Sequence, residues 1–79
     1  MKYVIISESG LELPIILTEC QSHKDVVKEH TKVISAGFCK FYIGSDNVMC
    51  VMCWGKSVGL NVASRLYVDE EIIRKQNSF

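Results

Sequence analysis

The sequence predicts a small α+β domain, with an antiparallel sheet of two β-hairpins, a short fifth strand and two short helices in the order ββαββ(β)α. Three observations lead there. Residues 2–17 and 33–56 alternate with the two-residue period of strands. A turn-forming cluster divides each of these stretches near its middle. Two other stretches carry helix signals, one a capping serine and one an ordered run of charges. At 79 residues, the length suits one domain spanning 1–79 and leaves no room for a two-domain enzyme or a full dinucleotide-binding fold.

The first hairpin joins residues 2–7, which are β-branched and aromatic, to residues 11–17 through Ser9-Gly10. A two-residue loop there places Glu8 opposite Leu11 and Ile6 opposite Leu13. One face then collects Val4, Ile6, Leu11, Leu13, Ile15 and Leu17, the expected core surface. The other carries Tyr3, Ile5, Glu12, Pro14 and Ile16. Pro14 has no N–H to donate, so this second strand belongs at a sheet edge.

Residues 22–30 read as a short helix, with Ser22 as cap and Asp25 three positions on. Its stripe is His23, Val26, Val27 and His30. A second hairpin follows over residues 33–43 and 48–56, around Gly44-Ser45-Asp46-Asn47. Taking Ile43 opposite Val48 sets Phe41 against Cys50. Cys39, Phe41, Ile43, Val48, Cys50, Met52 and Trp54 then share one face, and Phe38, Lys40, Tyr42, Met49, Val51 and Cys53 share the other. Both are largely apolar, so something must cover the second.

Beyond Gly55, the alternation Val58, Leu60, Val62 suggests the fifth strand, interrupted by Gly59. The last helix starts at Asp69. Asp69-Glu70-Glu71 at its N-terminus and Arg74-Lys75 at its C-terminus suit the helix dipole, with Glu70–Arg74 and Glu71–Lys75 as i,i+4 pairs. Ile72 and Ile73 would dock it.

Charge and composition narrow the function. Nine basic and nine acidic residues leave no net charge, which excludes a protein that wraps duplex nucleic acid. An apolar fraction of 48% excludes intrinsic disorder. No stretch reaches the roughly 18 apolar residues of a membrane span. The first residues hold an apolar run well short of the roughly seven that a signal peptide needs. Cys20, Cys39, Cys50 and Cys53 are therefore expected to be reduced thiols inside a cell.

Cys50-Val51-Met52-Cys53 has zinc-knuckle spacing, and Cys20 with His23 offers a second half-site, so a metal would take Cys20, His23, Cys50 and Cys53. Residues three apart on a strand point to opposite faces, however, and buried thiols with no metal and no cofactor are the expectation. Gly55-Lys56-Ser57 lacks the first glycine of a phosphate loop, whose place holds Cys50. Both histidines fall on one short helix, and Asp25 is too close to His23 in sequence to orient it productively, so no enzyme is expected. Lys40, Tyr42, Trp54, Lys56 and Arg65 could combine stacking with positive charge, but Trp54 falls on the expected core face. The sharpest functional signal is the apolar patch Phe38, Tyr42, Met49, Val51 and Cys53 around Lys40. Either a helix of the same chain covers it or another chain does, with a homo-oligomer the default form.

Several segments together resemble small bacteriophage-encoded proteins: Gly10-Leu11-Glu12-Leu13-Pro14-Ile15, His23-Lys24-Asp25-Val26, residues 33–39, Gly55-Lys56-Ser57-Val58-Gly59-Leu60 and Ser64-Arg65. The resemblance implies a phage accessory protein in the host cytoplasm or the virion, and brings no catalytic residues with it. The resulting expectation is a non-enzymatic protein that binds a host or phage protein, inhibition of a host defence complex being one such role. Three other readings stay open: an oligomer that sequesters a small ligand or nucleotide, a virion component, and a zinc-stabilised module.

Overall fold

The computed structural model describes residues 1–17, 21–23 and 32–77. Its elements run β1 (Lys2–Glu8), β2 (Leu11–Leu17), β3 (Lys32–Ile43), β4 (Met49–Trp54), β5 (Lys56–Ser57), β6 (Val62–Ala63) and α1 (Tyr67–Asn77). β2, β1, β3 and β4 form one antiparallel sheet in that order, and β5 pairs with β6 in a separate ribbon. The α+β class is as expected, with one α-helix among the described residues. The helix expected over 22–30 falls mostly on residues 24–30, which lie outside them.

The first hairpin has the expected register, Glu8 opposite Leu11 and Ile6 opposite Leu13. Ser9 and Gly10 take φ values of 53° and 80°, the left-handed pair of a tight hairpin turn that matches strand twist. Pro14 lies on the edge strand, where its missing N–H costs the sheet nothing. β3 is the shared strand. Its first half pairs with β1 and its second half with β4, and a bulge beside Ile5/Ile6 absorbs one extra residue.

The second hairpin corrects the expected register by one residue: Ile43 stands opposite Met49, Phe41 opposite Val51 and Cys39 opposite Cys53. The loop is the cause. Asn47 adopts a left-handed φ of 64°, Asp46 Oδ1 accepts the Val48 N–H, and Gly44 N–H donates to the Val48 carbonyl. Val48 is thus part of the turn. A one-residue shift exchanges the faces of an entire strand. Val51 and Cys53 now join Cys39 and Phe41, while Cys50, Met52 and Trp54 join Phe38, Lys40 and Tyr42.

The sheet is packed on both faces near its centre. Tyr3, Ile5, Cys39, Val51, Cys53 and Ile73 make one cluster, with Ile16, Phe41 and Ile72 around it. Val4, Leu17 and Ala36 make the other, with Ile15, Leu60 and Val62 against them. The face expected to be the core is the smaller of the two, and Leu11 on it is 62% exposed. α1, the largest amphipathic element described, docks on the Tyr3 and Ile5 side and makes that the main core. The expected fifth strand is instead β5, a turn and β6. Val58 sits in that turn, which the N–H of Asn61 closes on the Val58 carbonyl.

Gly37 marks where this ribbon crosses β3. A Cβ there would lie 2.4 Å from the Trp54 carbonyl oxygen and 3.2 Å from Ser64 Cβ. Backbone cannot move aside as a flexible side chain can. Gly37→Ala is therefore expected to destabilise the protein by about 2–3 kcal/mol. Urea titration would show this as a lowered midpoint, and an unchanged midpoint would mean that the ribbon is not held against the sheet.

Candidate functional site

Helix α1 is fixed to the sheet by a buried polar cluster. Asp69 is wholly buried, and both its oxygens are occupied. Oδ1 accepts from Ser35 Oγ at 2.8 Å and Arg65 Nε at 2.9 Å. Oδ2 accepts from Tyr3 Oη at 2.5 Å and the Arg65 backbone N–H at 2.9 Å. The single phenolic proton of Tyr3 goes to Asp69, so the Ser64 hydroxyl, 2.6 Å away, donates to Tyr3 Oη. The Arg65 guanidinium continues outward to Glu12, 2.6 Å away as an ion pair without hydrogen-bond geometry. Burial works against the Arg65 charge, but Glu12 and Asp69 outweigh it and raise its pKa.

Burial, then the bond to Asp69, pushes the Tyr3 phenol well above its ordinary value. A neutral phenol whose proton is given to a wholly buried carboxylate, and whose oxygen already accepts from Ser64, offers no proton to a substrate. This cluster holds the fold together. It also shows that Asp69 does more than balance a helix dipole, and that Arg65 is neutralised by two acids and so is no part of a cationic binding face.

The other terminal charges depart in part from the expected pattern. Glu70 accepts the Cys53 N–H at 3.0 Å and so caps a backbone donor of β4. Arg74 pairs with Glu71 at i,i+3, and Lys75 stands 3.8 Å from the same Glu71 oxygen.

The residues expected to form a partner-binding patch do not share a face. Val51 is buried beneath α1, and Met49 belongs to its side of the sheet. Phe38, Lys40 and Tyr42 lie on the opposite side, together with Cys50, Met52 and Trp54. There Tyr42, Met52 and Trp54 are 42%, 51% and 42% exposed, so Trp54 is not the core residue that the expected register suggested. The apolar excess of the hairpin is therefore divided: α1 covers one face and leaves the other open.

At the end of that open face the strands align Lys2, Phe38 and Trp54 in one row across β1, β3 and β4. Phe38 stacks on Trp54 with ring centroids 6.4 Å apart and meets the His23 ring edge-on at 5.9 Å. His23 Nε2 donates to the Gly37 carbonyl at 2.8 Å, which sets its tautomer and holds it in the fold. Lys2, Ser22, His23, Phe38, Lys56, Ser57, Val58 and Gly59 line a depression of about 230 Å³ beside this row. Lys2 and Ser57 escape a reading of the sequence because only the true register brings β1 and β5 to the same corner.

Of the four residues that a zinc site would use, Cys20 lies outside the described residues. Cys50 and Cys53 point to opposite faces of β4, and the His23 Nε2 is engaged with Gly37. Among the described residues, no three His, Cys, Asp or Glu side chains gather as metal ligands, and no helix is long and apolar enough to cross a membrane. Comparison with protein-family models, curated proteins and solved structures gives no match.

Proposed function

We propose that this protein is a non-enzymatic interaction module that binds a protein partner through the open face of β3 and β4. The observation that carries the reading is the exposure of Tyr42, Met52 and Trp54 on one side of a single hairpin. Aromatic residues and methionine are enriched at protein interfaces, where a few buried anchors supply most of the binding energy. Lys40, exposed among them, supplies one charge for orientation. The zero net charge suits a protein partner better than a polyanion. In the phage setting that the sequence resemblance implies, the partner is a host complex and the outcome of binding is its inhibition.

The test begins with crosslinking in the host cell and identification of the captured protein by mass spectrometry. Its affinity is then measured for the wild type, Met52→Asp and Trp54→Ala. Both variants are expected to bind at least roughly tenfold more weakly. Met52→Asp should leave the thermal melt unchanged because its side chain is half-exposed, whereas Trp54→Ala loses the stacking on Phe38 and should lower it slightly. Val51→Asp, by contrast, should unfold the chain. Wild-type affinity in Met52→Asp and Trp54→Ala would rule this face out. Sedimentation would reveal a second copy as the occupant if self-association disappears in the same variants.

A further inference from the structure

We infer that the depression between Lys2 and Lys56 is a binding site for a small organic phosphate with a flat ring, of the nucleoside monophosphate kind. This goes beyond the protein-partner reading and does not depend on it. Four observations support it. First, among the described residues the lining carries two lysines and no acidic side chain, so its field favours an anion. Among the described residues Lys56 has no ionic partner, and the Lys2 ammonium donates to the uncharged Gln21 carbonyl at 3.2 Å.

Second, Ser57 is 3% exposed, yet lines the depression. Its Oγ accepts the Leu60 N–H at 3.3 Å, and its own proton has no acceptor among the described residues. A buried hydroxyl with an unspent donor suits an incoming oxygen. Third, the back wall is fixed. Phe38 is held between His23 and Trp54, and His23 is itself hydrogen-bonded to backbone. Fourth, the volume of about 230 Å³ takes a phosphoryl group and part of a ring, while the stacked Phe38 and Trp54 continue as an apolar surface for the remainder. Aromatic faces next to paired lysines are the usual means of holding a nucleotide without reading its base.

Trp54 is the sole tryptophan and stacks on Phe38 of the lining, so its fluorescence reports on the site through that contact. The experiment titrates the intact protein with AMP, adenosine and inorganic phosphate at low and high salt. AMP is expected to change the emission saturably, with a dissociation constant at or below about 1 mM. Adenosine should bind at least roughly tenfold more weakly, since it lacks the charged head. Inorganic phosphate should displace AMP, and added salt should weaken binding. Lys56→Ala and Lys2→Ala, which remove exposed or half-exposed side chains, should each cost roughly tenfold in AMP affinity without moving the thermal melt. No saturable change, equal binding of AMP and adenosine, or wild-type affinity in both lysine variants would overturn the assignment. Loss of partner binding in Met52→Asp with AMP binding retained would separate this site from the protein-binding face.

Discussion

Asp69→Ala is expected to leave the protein largely unfolded at room temperature. The carboxylate receives four hydrogen bonds inside a region that solvent does not reach. Removing it strands the Tyr3 phenol, the Ser35 hydroxyl and the Arg65 guanidinium together, and breaking one partner of a buried charged pair costs about 3–5 kcal/mol. A single core of this size provides roughly the same amount in total. Helix α1 would lose the residue that ties its first turn to β1 and β3, and Ile73 would leave the cluster it fills. Asp69→Asn keeps the shape but exchanges one acceptor for a donor. Whichever way the amide turns, it sets N–H against either Ser35 and Arg65 Nε or Tyr3 and the Arg65 amide, so it too should be destabilised, though less. Circular dichroism with urea titration would decide the matter. A midpoint within experimental error of wild type for Asp69→Ala would mean that α1 is held by apolar contacts alone.

That cluster also shows what the sequence does and does not disclose. The first hairpin is legible because its register follows from a two-residue loop whose residues, Ser9 and Gly10, tolerate positive φ. The second is legible as a hairpin but not in register. Whether Val48 ends the turn or begins the strand depends on Asn47 adopting a left-handed conformation, which its neighbours permit but do not require. That single step moves Val51 from the proposed binding patch into the core and Trp54 from the core to the surface. The helix is legible from Asp69 to Lys75, but its charges read as a dipole pattern until Tyr3 and Ser35 are seen beside Asp69. Those partners stand 66 and 34 residues away in the chain, and no local pattern signals such a meeting. The Lys2, Phe38 and Trp54 row is hidden for the same reason, because it exists only once three strands are paired. Contacts set by local geometry are read from sequence, whereas those that depend on one turn's conformation are not.

Raising the pH above 9 is expected to unfold the protein in a way that sequence composition alone would not suggest. Burial, with the neighbouring Cys39, Glu70 and Asp69 adding to it, pushes the Cys53 thiol from 9.0 up to about 12. Burial also raises the Cys39 thiol, despite the opposing N-terminal charge, and Tyr3 is raised from 10.0. Each of these groups keeps its proton in the folded state and loses it earlier in the unfolded chain. Between the two pKa values the unfolded state binds fewer protons, so stability falls as pH rises. It is fully present below the unfolded values. The slope is about 1.4 kcal/mol per pH unit for each group, and a domain this small has only roughly 3–5 kcal/mol of stability to lose. Urea midpoints measured from pH 7 upward should stay level to about pH 9 and then fall steeply, with unfolding between about pH 10 and 11. Replacing both Cys39 and Cys53 with alanine lowers the starting stability through the lost volume, but should shift the onset to about pH 10, where Tyr3 alone remains. A stability profile flat through pH 11, or an onset unmoved in the double variant, would show that these thiols are not held neutral by the core.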